Sequence, residues 1–382
     1  MDFNDLLRLV YDQGASDLFI TAGVPPCIKV DGKLKPIHRE PMKSAAASAL
    51  VYSIMDDEQK MEFRRGREMN FAISAPELGR FRVSAFYQRG HPGMVLRRIE
   101  TVIPTLAELH LPDVLEELAM AKRGLVLFVG ATGTGKSTSL AALVGHRNLN
   151  SQGHIITVED PIEFVHPHRG CIVTQREVGV DTESYEVALK NTLRQAPDVI
   201  LIGEIRTRET MEHAITFAET GHLVLATLHA NNANQALDRI QHFFPAERHG
   251  QLWMDLALNL KAMVAQQLIP LAKSEGRRIA VEVLLNTPLV ADLIRKGEVH
   301  TLKEVMGRSQ EQGMQTFDQA LLELYLGGLI AYEEALRHAD SKNDLRLMIK
   351  LRAETDADFL ASVADEFSLE EDAAHTPRTW GG

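Results

Sequence analysis

A glycine-rich segment follows directly on an apolar run in the first half of the sequence. Residues 125–129 read Leu-Val-Leu-Phe-Val, and residues 130–138 read Gly-Ala-Thr-Gly-Thr-Gly-Lys-Ser-Thr. A buried strand that leads through this pattern into a helix is typical of a P-loop, whose glycines let backbone N–H groups surround phosphates. The pattern predicts a loop for a nucleoside triphosphate, formed by Gly130, Ala131, Thr132, Gly133, Thr134, Gly135, Lys136, Ser137 and Thr138.

Two side chains of this loop carry the chemistry that phosphates require. Lys136 can reach the β- and γ-phosphates, and the hydroxyl of Ser137 suits Mg²⁺. A helix that begins near Lys136 would add its N-terminal dipole to the same site. The alternative is a glycine-rich turn that binds nothing, but the complete motif in its strand–loop–helix context makes ATP with Mg²⁺ the expected ligand.

Apolar runs rich in β-formers recur after the P-loop, at residues 154–158, 199–202 and 222–228, with helical patterns between them. They are continuously hydrophobic, as expected of strands that are covered on both faces. Strands that alternate with helices predict a parallel sheet with right-handed crossovers. The fold class is therefore predicted as α/β, and residues 248–350 as mostly helical.

The first hundred residues have a different pattern, which predicts a small α+β domain. A helix is expected at about residues 5–13, and Asp31-Gly32 is a hairpin signal between two short apolar runs. Residues 80–87 and 94–99 read as two more strands. The predicted boundaries are an N-terminal domain at 1–100, a proline-containing linker at 101–112, an ATP-binding domain at 113–350 and an acidic tail at 351–382.

Composition and charge narrow the class of protein. The 382 residues carry a net charge of −11, and residues 353–382 contribute eight acidic side chains against one basic one. Neither part resembles a nucleic-acid-binding surface, so no nucleic-acid partner is expected. The chain lacks a long apolar run and a basic N-terminal signal, and its two cysteines, Cys27 and Cys171, are expected to be free buried thiols. These features favour the cytoplasm.

The acidic tail allows two interpretations. Phe359, Leu360, Val363 and Phe367 fall on one helical face among acidic residues. The tail is either a solvated, partly disordered segment or an acidic amphipathic helix that docks onto a partner protein.

Three further segments lie where parallel strands end, which is where ligands bind in such sheets. Glu159, Asp160 and Glu163 follow one strand, and carboxylates there can orient an attacking water or hold Mg²⁺ through water, or simply cap the loop. The strand at 199–202 leads into Gly-Glu, which resembles a Walker B strand with Glu204 at the magnesium end, while Asp198 at its other end is expected to be a structural cap.

Histidines and arginines complete the set of candidates. His222 and His229 bracket the last buried strand, and His229 is either a γ-phosphate sensor or a structural residue. Phosphoryl transfer often uses an arginine supplied by a neighbouring subunit. The candidates are the strand arginines Arg80, Arg82, Arg97 and Arg98, which could equally be solvated.

Together these segments resemble the secretion and pilus ATPase superfamily, specifically its PilT-type pilus-retraction branch. The matching blocks span about residues 1–350: residues 14–18, 80–83, the P-loop, 158–164, 175–178, the strand ending at 203–204, 220–229 and 313–316. The resemblance implies a PAS-like N-terminal domain, a RecA-like ATPase domain and a ring of six chains. It also implies Glu163 or Glu204 as the base-like carboxylate, His229 as the sensor, and Arg82 with Arg97 as cations acting in trans.

Two departures point to an accessory member of that branch. Retraction motors carry a helix reading Ala-Ile-Arg-Asn-Leu-Ile-Arg-Glu, where this chain has Ala291 in place of the first arginine and Lys296 in place of the glutamate. The chain also extends about thirty residues beyond the usual end. The resemblance implies work alongside the main PilT-type retraction ATPase and an inner-membrane pilus platform protein, with membrane contact only through partners. A pilus-assembly or secretion ATPase is less favoured, because the four-cysteine insertion of such chains is missing.

Overall fold

A computed structural model describes residues 2–30, 32–99 and 102–355. The first part contains α1 (Phe3–Asp12), β1 (Asp17–Ile20), β2 (Cys27–Val30), β3 (Lys33–Pro36), α2 (Ser44–Ser53), α3 (Asp57–Gly66), β4 (Glu68–Ala75), β5 (Gly79–Gln88) and β6 (His91–Arg98). The six strands form one antiparallel sheet in the order β3-β2-β1-β6-β5-β4. The apolar face of α1, including Leu6, Leu7 and Val10, packs into the same core as Leu18 and Phe81.

The second part is built around a seven-stranded sheet. Its elements are α4 (Val114–Ala119), β7 (Gly124–Val129), α5 (Lys136–Asn150), β8 (Gly153–Glu159), β9 (Cys171–Glu177), α6 (Tyr185–Thr192), β10 (Val199–Ile202), α7 (Arg208–Glu219), β11 (Leu223–Leu228), α8 (Ala233–His242), α9 (His249–Asn259), β12 (Leu260–Pro270), β13 (Arg277–Leu285), α10 (Pro288–Lys296), α11 (Leu302–Arg308), α12 (Phe317–Leu326), α13 (Tyr332–His338) and α14 (Lys342–Thr355). The strand order is β13-β12-β7-β11-β10-β8-β9, and every neighbouring pair is parallel except β12 with β13.

Helices cover both faces of this sheet, which explains the continuous hydrophobicity of its strands. Leu125, Leu127 and Val129 of β7 belong to one core cluster, whereas Val126 and Phe128 belong to the cluster on the opposite face. Each side chain buried in this way contributes about 1.5–3 kcal/mol to folding. Because β7, β8, β10 and β11 are parallel, their C-terminal ends lie side by side along one edge of the sheet, and the candidate site lies there.

The predicted fold class is confirmed: an α/β RecA-like P-loop domain is preceded by a small α+β PAS-like domain. Residues 248–350 are mostly helical, as predicted, but the prediction missed β12 and β13, which form a long antiparallel pair at one side of the sheet. β12 is buried on both faces, so its sequence lacks the alternation that marks a half-buried strand. β9 carried no strand prediction either. The domain boundaries stay predictions.

The structure also bears on several smaller expectations. β2 and β3 pair as an antiparallel hairpin, although Asp31 in its turn lies outside the described residues. Cys171 is a buried free thiol whose pKa is raised by burial, while Cys27 is free and half-buried. The residues of the predicted tail helix, from 356 onward, lie outside the described part of the chain. Within residues 2–30, 32–99 and 102–355, no helix has the length and apolar character needed to cross a bilayer.

Candidate nucleotide-binding and hydrolysis site

The P-loop connects the C-terminal end of β7 to the N-terminus of α5, as the sequence predicted. Gly130 has no room for a side chain, because a Cβ there would collide with the Thr134 hydroxyl and lie 2.9 Å from the Gln266 carbonyl oxygen. Gly135 precedes the first residue of α5 with a φ of +87°, which favours glycine. The backbone therefore turns tightly enough for the first N–H groups of α5 to face the cleft.

Lys136 is held against this loop. Its Nζ donates hydrogen bonds to the carbonyl oxygens of Gly130 (2.7 Å) and Ala131 (2.8 Å), and the residue is buried. Burial lowers the pKa of Lys136, whereas the nearby carboxylates of Glu204 and Glu163 act to raise it. The ammonium group thus lies between the phosphate-binding backbone and the two carboxylates that the sequence predicted as catalytic.

Glu204 and His229 meet because β10 and β11 are parallel neighbours that end side by side. His229 Nε2 lies 3.1 Å from Glu204 Oε1, and its Nδ1 lies 3.2 Å from the Gly130 carbonyl oxygen. Arg206 Nη2 contacts Glu204 Oε2 at 2.6 Å. Burial acts to raise the pKa of Glu204, but the hydrogen bonds and charges of Arg206 and His229 outweigh it and hold the pKa below its ordinary value. Glu204 is therefore ionised, and each of its two oxygens already contacts a neighbouring side chain.

The acidic loop, residues 159–166, begins at the last residue of β8 and supplies two more carboxylates. Glu159 accepts hydrogen bonds from Thr157 Oγ1 (2.6 Å) and Gln175 Nε2 (3.2 Å). Burial nevertheless raises the pKa of Glu159 to about 7. Glu163 lines the same cleft as Glu159 and is close enough to Lys136 to affect its pKa.

These groups surround one cleft of ≈ 550 Å³. Its lining includes most of the P-loop together with the predicted catalytic side chains: Thr132, Gly133, Gly135, Lys136, Ser137, Thr138, Glu163, Glu204 and His229. Gly130, Ala131 and Thr134 complete the loop next to it, and Ala131 lines an adjoining hollow with Thr132 and His229. The structure therefore brings together every predicted site residue except the two arginines.

Arg82 and Arg97 lie opposite each other on β5 and β6, outside the lining of this cleft in the described chain. Arg97 Nε contacts Asp17 Oδ1 at 2.8 Å, within the N-terminal sheet. Arg82 Nε lies 3.8 Å from Oε1 of Glu177, on β9 of the same chain. Their action on a neighbouring subunit stays a prediction.

The cleft contains donor groups of the kind that hold Mg²⁺ together with phosphates. Within the described ranges, no group of three or more His, Cys, Asp or Glu side chains could hold a metal ion by itself. Mg²⁺ is usually held by one or two carboxylates together with substrate phosphates. The hydroxyl of Ser137 and the carboxylate of Glu204 line the same cleft, so the residues present suit that type of binding.

His222 and Asp198 have structural roles at the opposite ends of their strands, and two residues of the site itself were missed from the sequence. His222 Nδ1 lies 3.1 Å from the Phe217 carbonyl oxygen, and Asp198 accepts a hydrogen bond from the His154 N–H at 2.8 Å, as expected of structural groups. Arg206 was missed, although its position two residues after Glu204 was a usable signal. Gln266, which donates to the Thr134 carbonyl oxygen at 2.8 Å, lies too far along the chain for any local pattern to reveal it.

Comparisons with known proteins agree with this geometry. The profile of a family described as "Type II/IV secretion system protein" matches residues 2–337. The chain is 68% identical over 370 residues to "Type IV pilus ATPase PilU" of Pseudomonas aeruginosa, with 97% of each protein covered. It is 42% identical over 340 residues to "Type IV pilus retractation ATPase PilT" of the same organism, covering 89% of this chain and 98% of that protein.

Solved structures give the same relationship. "Crystal Structure of the Pilus Retraction Motor PilT and Bound ADP" superposes with a TM-score of 0.85 at 37% identity, covering 91% of this chain and 99% of that one. The Legionella pneumophila ATPase DotB superposes with a TM-score of 0.75 at 27% identity, covering 87% and 93%. With its P-loop, acidic loop and Glu204–His229 pair on one edge of a RecA-like sheet, the chain belongs to the type II/IV secretion system protein family and is an ATPase.

Proposed function

We propose that this ATPase is a motor protein that assists type IV pilus retraction and twitching motility, together with a main PilT-type retraction ATPase. The observation that carries the proposal is the 68% identity to a type IV pilus ATPase over 97% of both chains. The Ala291 and Lys296 positions on α10 support an assisting role, because the helix that retraction motors carry there has arginine and glutamate instead.

Within the cleft, each residue has a proposed task in hydrolysis. The P-loop backbone and Lys136 bind the phosphates of ATP, and His229 senses the γ-phosphate from its place beside Gly130. Ser137 would hold Mg²⁺ directly and Glu204 would hold it through water, and the ion would neutralise phosphate charge. Glu163 is then the better placed base for the attacking water, because both oxygens of Glu204 already contact Arg206 and His229.

We further propose a homohexameric ring in which Arg82 and Arg97 of one subunit act on the nucleotide of the next. The ring would lie in the cytoplasm at the inner-membrane face of the pilus machine, where it would contact the platform protein and the PilT-type motor. Contact with the membrane would come only through these partners. A net charge of −11 argues against nucleic acid as a partner.

The main alternative is a nucleotide-binding regulatory partner that stabilises the main motor and contributes little motor activity of its own. The same α10 substitutions favour it, because they change a helix that independent motors keep. A pilus-assembly or secretion ATPase is the third candidate. The chain has only two cysteines, which argues against the four-cysteine zinc insertion of that class.

Pilus retraction in cells distinguishes the first two functions. Lys136→Ala and, separately, Glu204→Ala are introduced into the chromosomal copy, in strains whose PilT-type motor is active or hydrolysis-dead. An assisting motor predicts that both variants lower retraction speed or force with an active main motor and abolish retraction with a dead one. Unchanged retraction with an active main motor would leave the regulatory role as the better explanation.

A further inference from the structure

β9, one of the two edge strands of the second sheet, holds the acidic loop from one side. Gln175 and Glu177 are two residues apart on β9, so their side chains leave the same face of the sheet. Gln175 Nε2 donates to Glu159 Oε1 (3.2 Å) and to the Phe164 carbonyl oxygen (2.9 Å). Its Oε1 accepts a hydrogen bond from the His166 N–H at 2.8 Å. One neutral side chain thus fixes the loop at three points.

Glu177 holds the same loop with its side-chain carboxyl group. Its Oε2 accepts a hydrogen bond from the Ile162 N–H at 3.3 Å, immediately before Glu163. The residue is only 1% exposed, and burial raises the pKa of Glu177 despite that hydrogen bond and the nearby charges of Arg82 and Arg80. A buried carboxylate is costly unless it is paired, so its position depends on the cations that reach it.

Those cations come from the other domain. Arg82 on β5 of the N-terminal sheet places Nε 3.8 Å from Glu177 Oε1, the oxygen that does not hold Ile162. Arg80 lies two residues earlier on the same strand, and its Nε is buried without a hydrogen-bond partner. One carboxylate therefore contacts the N-terminal domain with one oxygen and the backbone of the acidic loop with the other.

We propose that Glu177 is a positioning residue through which Arg82 of the same chain sets the place of Glu163 in the cleft. With Arg82 in contact, the carboxyl group of Glu177 stays in its buried place beside that cation and holds the Ile162 N–H. When the N-terminal domain moves and Arg82 withdraws, the carboxylate loses its nearest cation and either takes up a proton or swings toward water. The backbone next to Glu163 is then released, so hydrolysis proceeds only while the two domains are in contact.

The inference rests on the proposed role of Glu163, and it replaces the trans action proposed above for Arg82, leaving Arg97 as the cation proposed to act on a neighbour's nucleotide. If Arg82 acts through Glu177, removing both side chains does no more harm than removing one. If Arg82 acts directly on a neighbour's nucleotide, the two losses are independent and multiply. A double-mutant cycle on ATP turnover separates these cases.

The full-length protein is prepared as wild type, Glu177→Gln, Arg82→Gln and the double variant, with Ser84→Ala as the control on the same face of β5. Glu177→Gln keeps an acceptor for the Ile162 N–H but loses the charge that Arg82 contacts. A misplacement near 1 Å can cost up to about 10²-fold in rate, so each single variant should lower kcat about tenfold. KM should stay within about twofold, because the P-loop is untouched, and the double variant should match the slower single variant.

Arg82→Lys provides a second test that does not depend on the stability of Glu177→Gln. It should keep most of the kcat in the wild-type background, because it preserves the charge beside Glu177. A Glu177→Gln protein with kcat within twofold of wild type would overturn the proposal, as would a double variant whose loss is the product of the single losses. Glu163→Gln is measured alongside: if it leaves turnover unchanged, the proposed role of Glu163 fails, independently of how the cycle turns out.

Discussion

Replacing Gly130 by alanine should damage the cleft far more than it damages the fold. The added Cβ would collide with the Thr134 hydroxyl, which can rotate away, and would lie 2.9 Å from the Gln266 carbonyl oxygen, which is fixed in β12. Carbon–oxygen contacts below about 3.4 Å are rare in proteins, so the loop must shift by roughly 0.5 Å or more. Overpacking of this kind costs about 1–3 kcal/mol of folding free energy.

The same shift should reduce ATP hydrolysis strongly, because the Gly130 carbonyl oxygen contacts two side chains of the site. Its carbonyl oxygen accepts the hydrogen bond from Lys136 Nζ at 2.7 Å and lies 3.2 Å from His229 Nδ1. Moving it misplaces both the phosphate-binding cation and the predicted sensor. Since displacements near 1 Å can cost about 10²-fold, we expect kcat/KM for ATP hydrolysis to fall by about 10- to 100-fold.

Gly221→Ala is the matched control for this experiment. Gly221 has a φ of +99° but nothing within 4 Å of a Cβ, and it lies before β11, away from the cleft. It should lose about 1–2 kcal/mol of stability from backbone strain and keep its turnover. Thermal unfolding and steady-state ATPase assays on both variants measure the two effects. A Gly130→Ala protein with kcat/KM within threefold of wild type would refute the crowding argument.

Two further predictions concern the C-terminal part of the chain. Burial raises the pKa of Glu282, whose Oε1 accepts the Ala233 N–H at 2.8 Å, to about 7, so the folded state keeps a proton that the unfolded state releases above its own pKa. The free energy of unfolding of the wild type should therefore fall as pH rises from about 4.5 to about 7. Glu282→Gln stays neutral, so between pH 4.5 and pH 8 its stability should gain about 2–3 kcal/mol relative to wild type, as measured by denaturant unfolding. An equal stability difference at both pH values would contradict the assignment. Deleting residues 353–382 should leave ATP turnover unchanged but reduce co-purification with a PilT-type ATPase, whereas undiminished co-purification would rule out the docking role of the acidic tail.

The sequence predicted the parts of the molecule that local patterns encode. The P-loop, the strands around it and the clustering of Glu163, Glu204 and His229 all followed from motifs at strand ends, because parallel strands bring their carboxyl ends to one edge. The antiparallel β12–β13 pair escaped prediction because β12 is buried on both faces and its apolar run also suits a buried helix.

Contacts between distant segments were the other gap. Gln266 supports the P-loop across 132 positions of sequence, and no local pattern marks such a residue. Arg82 was recognised as a cation of interest, but its approach to Glu177 depends on how the N-terminal sheet meets β9. Residue propensity and hydrophobic periodicity do not predict how two domains pack against each other, so this contact is seen only in the structure.

We propose that the acidic loop supplies the base for ATP hydrolysis in this cleft. The most direct test is Glu163→Gln in the purified full-length protein, with nucleotide affinity and steady-state turnover measured on the same sample. We predict an ATP dissociation constant within about threefold of wild type and a kcat lower by about 10²- to 10⁴-fold, the range that general-base catalysis contributes. Unchanged kcat in Glu163→Gln, combined with loss of turnover in Glu204→Gln, would contradict the claim and assign the base to Glu204.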